Sequence, residues 1–144
     1  MLSKPHFYDL KIVEKHLDTF GHVNNATYLE LYEEARWDLI DCHNYGLKHI
    51  QESGQGPVIL RIDITFKAEL KNRELIKIET YVKEVKNALV MTLEQKMIKA
   101  DGTIASTATF DVGLFDLHKR KLIPPTKDWL HAIGVDENLI PAKA

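Results

Sequence analysis

Residues 18–28 read "DTFGHVNNATY". An acid, a glycine, a histidine and two adjacent asparagines crowd into this short segment, and a helical pattern begins directly behind it. Tyr28, Leu31, Tyr32, Ala35 and Leu39 recur at three- and four-residue spacing, which predicts an amphipathic helix from about Asn25 to about Tyr45. Leu29, Trp37 and Ile40 widen the apolar stripe. A stripe that broad predicts a helix wrapped by other structure rather than one resting on a surface. Asn24 or Asn25 suits the N-cap, and Gly46 suits the C-terminal stop. The polar crowd ahead of the helix then reads either as a loop with its cap or as an active site.

On both sides of this segment the hydrophobic period is two. "FYDLKIV" (7–13) reads as a first strand. After "SGQGP" (53–57), Ile62, Ile64 and Phe66 alternate with Arg61, Asp63, Thr65 and Lys67, the pattern of a half-buried strand. "ELIKIETYVKEV" (74–85) carries Ile76, Ile78 and Val82 on one face. "ALVMTLEQKMIKA" (88–100) alternates Leu89, Met91, Leu93 and Met97. "TIASTATFDVGLFDL" (103–117) does the same with Ile104, Ala108, Phe110, Val112 and Leu114. Lys86-Asn87 and Asp101-Gly102 mark the turns between these strands. "PPTKDWLHAIG" (124–134) predicts a short terminal helix with proline near its start. Strand, long helix, four strands and short helix make an α+β fold: a curved antiparallel sheet of about five strands, laid out as a meander of three or four, around one long central helix.

The chain has 144 residues, the length of one domain spanning 1–144. With 44% apolar and 28% charged residues it can build an ordinary core. A net charge of -2 with mixed signs argues against a dedicated nucleic-acid binder. Cys42 is the single cysteine, so no intrachain disulfide forms, which fits a reducing cytoplasm. "MLSKPHFYDL" lacks the apolar core of a signal peptide, and no run approaches the ~20 apolar residues of a membrane span. A cytoplasmic protein is expected. The seven histidines show no metal-ligand spacing, and no phosphate- or dinucleotide-binding glycine motif is present, so neither metal nor cofactor is expected.

"DTFGHVNNATYLELYEEAR" (18–36) resembles the hotdog-fold acyl-CoA thioesterases of the 4-hydroxybenzoyl-CoA thioesterase type, including their YbgC-like and FadM-like branches. The matching elements are Asp18, the "GHVNN" of Gly21 to Asn25, Tyr28, and the run Glu33-Glu34-Ala35-Arg36. "LEQKMIKADG" (93–102) and "RKLIPP" (120–125) are similar to later family segments, so the resemblance covers roughly residues 7 to 130. It implies hydrolysis of an acyl-CoA or acyl carrier protein thioester. It also implies a homodimer or homotetramer whose active sites lie between protomers.

Thioester hydrolysis asks little of the protein on the leaving-group side, because a thiol of pKa about 8.5 departs as thiolate without strong acid help. The remaining needs are a nucleophile or base, and a partner for the developing oxyanion. The resemblance assigns the first to Asp18, as a nucleophile or as a base that orients water. It assigns the second to the backbone amide of Asn25, at a helix start where N–H groups lack intrahelical partners. His22 either bonds Asp18 or the substrate and tunes the carboxylate, or only supports the loop. Gly21, Val23, Asn24 and Tyr28 are the expected substrate-binding positions. Gly21 gives close approach or a turn, Asn24 and Asn25 serve loop and cap, and Tyr28 also lies on the packing stripe.

In the related plant acyl carrier protein thioesterases an asparagine stands where this chain has Phe20, which favours the aspartate-dependent route here. Glu33 and Arg36 are three apart and read as an ion pair at the surface or an interface, with Glu33 an alternative second carboxylate. Arg61, Lys67 and Lys71 read as solvated charges, with CoA phosphates as their alternative partner. Two rival functions remain: a hotdog dehydratase or hydratase, and a non-catalytic acyl-CoA binding module.

Overall fold

Alternation builds the sheet. The computed structural model describes residues 1–139; residues 140–144 of the expected 1–144 domain lie outside the described residues. Its elements are β1 (His6–Lys11), α1 (Asn25–Asp41), α2 (Leu47–Ser53), β2 (Gln55–Phe66), β3 (Leu75–Val85), β4 (Val90–Lys99), β5 (Ile104–Asp116), β6 (Lys121–Ile123) and α3 (Lys127–Ala132), with single turns of 3-10 helix at Glu14–His16 and Glu137–Leu139. Ile76, Ile78 and Val82 on β3, Met91, Leu93 and Met97 on β4, and Ala108, Phe110, Val112 and Leu114 on β5 are all buried. They form the core with Tyr28, Leu31, Tyr32, Ala35, Leu39 and Ile40 of α1.

The sheet is antiparallel with strand order β1-β3-β4-β5-β2, and β6 pairs with the end of β5. Only β3, β4 and β5 run as a meander. β2 lies beyond β5 at one edge, and β1 lies beside β3 at the other. The reason is local. The turns near Lys86-Asn87 and Asp101-Gly102 are tight, with Lys86 N–H donating to Val90 C=O and Gly102 at φ +89°. The segment after β2 is no hairpin: the Lys67 and Ala68 amides both donate to Ala105 C=O, and the chain then crosses the sheet to start β3.

Four expectations need correction. The helix ends at Asp41 rather than Tyr45, because Asn44 adopts the left-handed conformation (φ +65°) and reverses the chain. Gly46 therefore does not stop α1; it is the N-cap of α2, a helix the periodicity did not reveal. On β2, Ile62 and Phe66 are 45% and 48% exposed and only Ile64 is half-buried, so the expected core face of this strand is largely bare. α1 packs toward the β1–β3 side of the sheet, which leaves β2 beyond its cover. A register shift between Ile59 and Arg61 bulges this edge further. Trp37, assigned to the apolar stripe, is partly exposed.

Candidate active site

The segment ahead of α1 is a tight reversal closed on itself. Leu17 and Val23 form a β-bridge, Asp18 N–H donates to His22 C=O at 2.9 Å, and Gly21 N–H donates to Asp18 C=O at 3.0 Å. Gly21 has φ +79°, a conformation that side chains other than glycine disfavour. The space where its Cβ would stand is open, so conformation rather than crowding within the protomer explains the glycine.

Inside this reversal the Asp18 carboxylate is held by one oxygen. Its Oδ1 accepts from Phe20 N–H at 2.9 Å and from His22 N–H at 3.1 Å. Oδ2 makes no hydrogen bond among the described residues, and the side chain is exposed. His22 thus meets Asp18 through its backbone; its ring Nε2 lies 3.3 Å from Glu69 Oε1, with both side chains more than half exposed. Phe20, at the tip of the reversal, is 84% exposed.

The helix begins two residues after Val23. Asn24 is the N-cap, its Oδ1 accepting from Ala26 N–H at 2.8 Å. The Asn25 side chain shares that amide at 3.0 Å. The Asn25 backbone N–H makes no protein hydrogen bond among the described residues, as expected of a first helical residue. An open groove of about 400 Å³ runs past it, lined by Val23, Asn25, Tyr28 and Phe66 with Lys67, Ala68 and Glu69. Tyr28 stands edge-on to Phe66 with ring centroids 4.9 Å apart. It is buried, which pushes its phenol above the ordinary value. Of the residues singled out in the sequence, Val23, Asn25 and Tyr28 line the groove. Asp18, Gly21, His22 and Asn24 sit in the reversal and cap beside it in the chain.

A second cavity lies farther along α1. It holds about 150 Å³ and is walled mainly by apolar groups from α1, β2, β4, β5 and α3, including Trp37, Pro57, Ile59 and Trp129. Arg36 is its cation. The expected Glu33–Arg36 ion pair does not form. Arg36 turns inward instead, its Nη1 donating to Gln95 Oε1 at 2.9 Å and its guanidinium lying 4.2 Å over the Phe110 ring. Gln95 is fully buried, and its amide nitrogen donates to Tyr32 C=O at 3.1 Å and Thr80 Oγ1 at 2.9 Å. Tyr32 completes the group by donating its hydroxyl to Ser106 Oγ at 2.8 Å. Sequence reasoning overlooked Gln95, although it stands at an inward position between Leu93 and Met97.

A family model described as the thioesterase-like superfamily matches residues 13–133. The chain is similar to the long-chain acyl-CoA thioesterase FadM of Escherichia coli (strain K12), 25% identical over 114 residues that cover 79% of this chain and 86% of that protein. It is also similar to the acyl-CoA thioesterase YbgC of Haemophilus influenzae, 27% identical over 129 residues covering 89% and 93%. Among solved structures, a Staphylococcus aureus protein in complex with CoA superposes with a TM-score of 0.82 at 18% identity, over 92% of this chain and 84% of that one. The fold is thus the hotdog fold expected from the motif.

Proposed function

This chain belongs to the thioesterase-like superfamily, and from that premise we propose that it hydrolyses acyl-CoA thioesters to the free acid and CoA. One observation carries the reading. A single short segment holds a carboxylate anchored by one oxygen and, directly after it, a helix start where the Asn25 N–H is unpaired and Asn25 borders a groove. Anchoring Oδ1 orients Asp18 and leaves Oδ2 to react. Attack on the thioester carbonyl drives negative charge onto its oxygen, and the Asn25 amide at the positive end of α1 is the donor that stabilises it.

Two balanced routes suit this carboxylate. In one, Asp18 Oδ2 bonds to the carbonyl carbon, the C–S bond breaks, CoA leaves as thiolate, and water then hydrolyses the mixed anhydride. In the other, Asp18 takes a proton from a water whose oxygen bonds to the carbonyl carbon, the C–S bond breaks, CoA leaves as thiolate, and the proton on Asp18 passes to the thiolate or to solvent. After a single turnover in ¹⁸O-labelled water, label in Asp18 identifies the first route with water attack at the aspartyl carbon of the anhydride, an outcome the second route cannot produce. Tyr28, Val23 and Asn24 border the substrate's approach, and His22 supports the reversal through its backbone and through Glu69.

The catalytic unit is a homodimer. β2 is a 12-residue edge strand that exposes Ile59, Leu60, Ile62 and Phe66. A long apolar edge of that kind is a template for pairing with another strand. A two-fold pairing of β2 with its copy sets the Phe66 end of one strand beside the Gln55 end of the other. Phe66 borders the groove at the helix start, whereas Pro57 and Ile59 border the Arg36 cavity. The dyad therefore sets the Asp18 segment of one protomer against the cavity of its partner, and the exposed Phe20 becomes part of that junction. The absence of any intrachain disulfide fits an enzyme working on acyl-CoA in the cytoplasm.

The test is thiol release from a panel of short, long and aromatic acyl-CoAs, and from the matching carrier-protein thioesters, alongside enoyl-CoA hydration. Thiol release without hydration is expected. Hydration without thiol release would overturn the reading.

A further inference from the structure

The inward face of α1 carries one charge. Arg36 makes no ion pair among the described residues, and Gln95 Oε1 is its hydrogen-bond acceptor. Burial pulls its pKa down to about 10, against the opposing pull of the Glu33 charge, so it stays a cation at neutral pH. A guanidinium has five N–H donors, and one protein acceptor does not use them. No buried side-chain nitrogen or oxygen among the described residues lacks a partner. The guanidinium nitrogens without protein acceptors therefore keep access to solvent, and Arg36 is a lining residue of the cavity.

That cavity pairs one cation with apolar walls. Trp37, Ile40, Leu93, Val112 and Trp129 are among its lining residues. Its volume of about 150 Å³ matches an engineered cavity that admits a benzene molecule, so it has room for about six carbon atoms. The single other charge on its lining is Glu33, which is exposed at the rim.

We propose that this cavity receives the far end of the acyl group, and that Arg36 makes it select acyl groups ending in a carboxylate, the half-thioesters of short dicarboxylic acids. The proposal rests on the hydrolase reading above. The apolar walls take the methylenes, and the terminal carboxylate meets the open face of the guanidinium, which is shaped for two-point, charge-assisted bonding. An acyl group ending in methyl displaces water from the same donors and replaces it with nothing, which leaves them unsatisfied. Discrimination thus comes from both directions, attraction of one substrate and a desolvation penalty on the other. Glu33 works against the incoming anion, weakened by its exposure to solvent.

Adipoyl-CoA and hexanoyl-CoA test this, since they match in carbon count and differ in the terminal group. The expected kcat/KM ratio of adipoyl to hexanoyl is about 10- to 100-fold in the wild type. Arg36→Gln should bring it to one or below, and Glu33→Gln should raise it several-fold. Taking the ratio within one preparation removes any effect of a reduced folded fraction. A wild-type preference for hexanoyl, or a ratio unmoved by Arg36→Gln, overturns the proposal. Calorimetric binding of the same two compounds decides it independently of turnover. Absent thiol release with a retained adipoyl preference in binding overturns the hydrolase reading alone, and equal binding overturns the role of Arg36.

Discussion

The Gln95 side-chain carbonyl accepts from Arg36 Nη1 at 2.9 Å across the interface between α1 and β4. This contact joins two parts of the molecule with different tasks. On one side, Gln95 is locked by its own donations to Tyr32 and Thr80, inside the core. On the other, Arg36 reaches the cavity that lies farther along the helix from Asp18. A buried amide thus fixes the direction of a cation that would otherwise extend to water, as long basic side chains usually do.

Replacing Gln95 by leucine should remove that hold. The Arg36 donor loses its acceptor, and the Tyr32 carbonyl and Thr80 hydroxyl lose a donor, beside a Thr80 that is itself fully buried. The expected cost is about 2–3 kcal/mol, seen as a lower urea midpoint at unchanged slope. A loss below about 0.5 kcal/mol, the range of neutral surface changes, would mean that these bonds are replaceable.

Asp18→Asn should separate chemistry from fold. An asparagine Oδ1 still accepts from the Phe20 and His22 amides, so the reversal survives. Its amide is neither a base nor a competent nucleophile. Thiol release should fall by about 10²–10⁴-fold with an unchanged melting curve. Near wild-type turnover would remove Asp18 from the mechanism.

Legibility in the sequence followed physical range. The inward faces of β3, β4 and β5 and the stripe of α1 were readable because period-two and period-3.6 burial are local properties. The edge position of β2 was not, since Ile62, Ile64 and Phe66 alternate just as a covered strand would. Only the crossing after Lys67 moves β2 out from under α1. The acid, glycine and asparagines of residues 18–25 marked a capped turn, but which oxygen of Asp18 is anchored depends on hydrogens two and four residues away. Gln95 is a polar residue in an apolar register, a local signal that the period-two pattern of its neighbours masked. Its partner Arg36 lies 59 residues away, and helical spacing pointed that arginine to Glu33 instead.

Placing a charge on the exposed β2 edge should dissolve the dimer. Ile62 is 45% exposed on the strand expected to pair with its copy. In Ile62→Lys, two like charges meet near the dyad, which inward-pointing lysines at sheet edges are known to disfavour. Sedimentation should move from dimer to monomer, and activity should fall with it. A monomeric wild type, or a dimer that ignores the change, contradicts pairing through β2.

Acid should weaken the sheet through Asp111. Burial pushes this carboxyl up, but the Lys86 ammonium at 2.6 Å and the Thr92 hydroxyl at 2.8 Å outweigh it, and the net folded value lies below the ordinary one. A depressed carboxylate contributes stability that is complete above its unfolded pKa of about 3.9 and is lost as pH falls through the folded value. Asp111→Asn should therefore cost about 1 kcal/mol at pH 7, kept modest because Lys86 is 41% exposed and can hydrate. The difference between the two proteins should shrink as pH drops below about 3.9. A gap that stays constant down to acid pH would assign the effect to packing rather than charge.

Mixed dimers should reveal which protomer serves which site. Val112 is buried against the Arg36 cavity, and Val112→Phe fills part of it. If Asp18 of one protomer works on an acyl group held in its partner's cavity, a heterodimer of Asp18→Asn with Val112→Phe has one doubly damaged site and one intact site. Random assembly after co-expression makes half the dimers mixed, so activity should recover to about a quarter of wild type from two nearly inactive parents. If each site were built from one protomer alone, no intact site could arise, and the mixture would stay at the mean of its parents. Hexanoyl-CoA is the substrate of choice here, because it fills the cavity with methylenes alone and keeps the readout apart from carboxylate recognition.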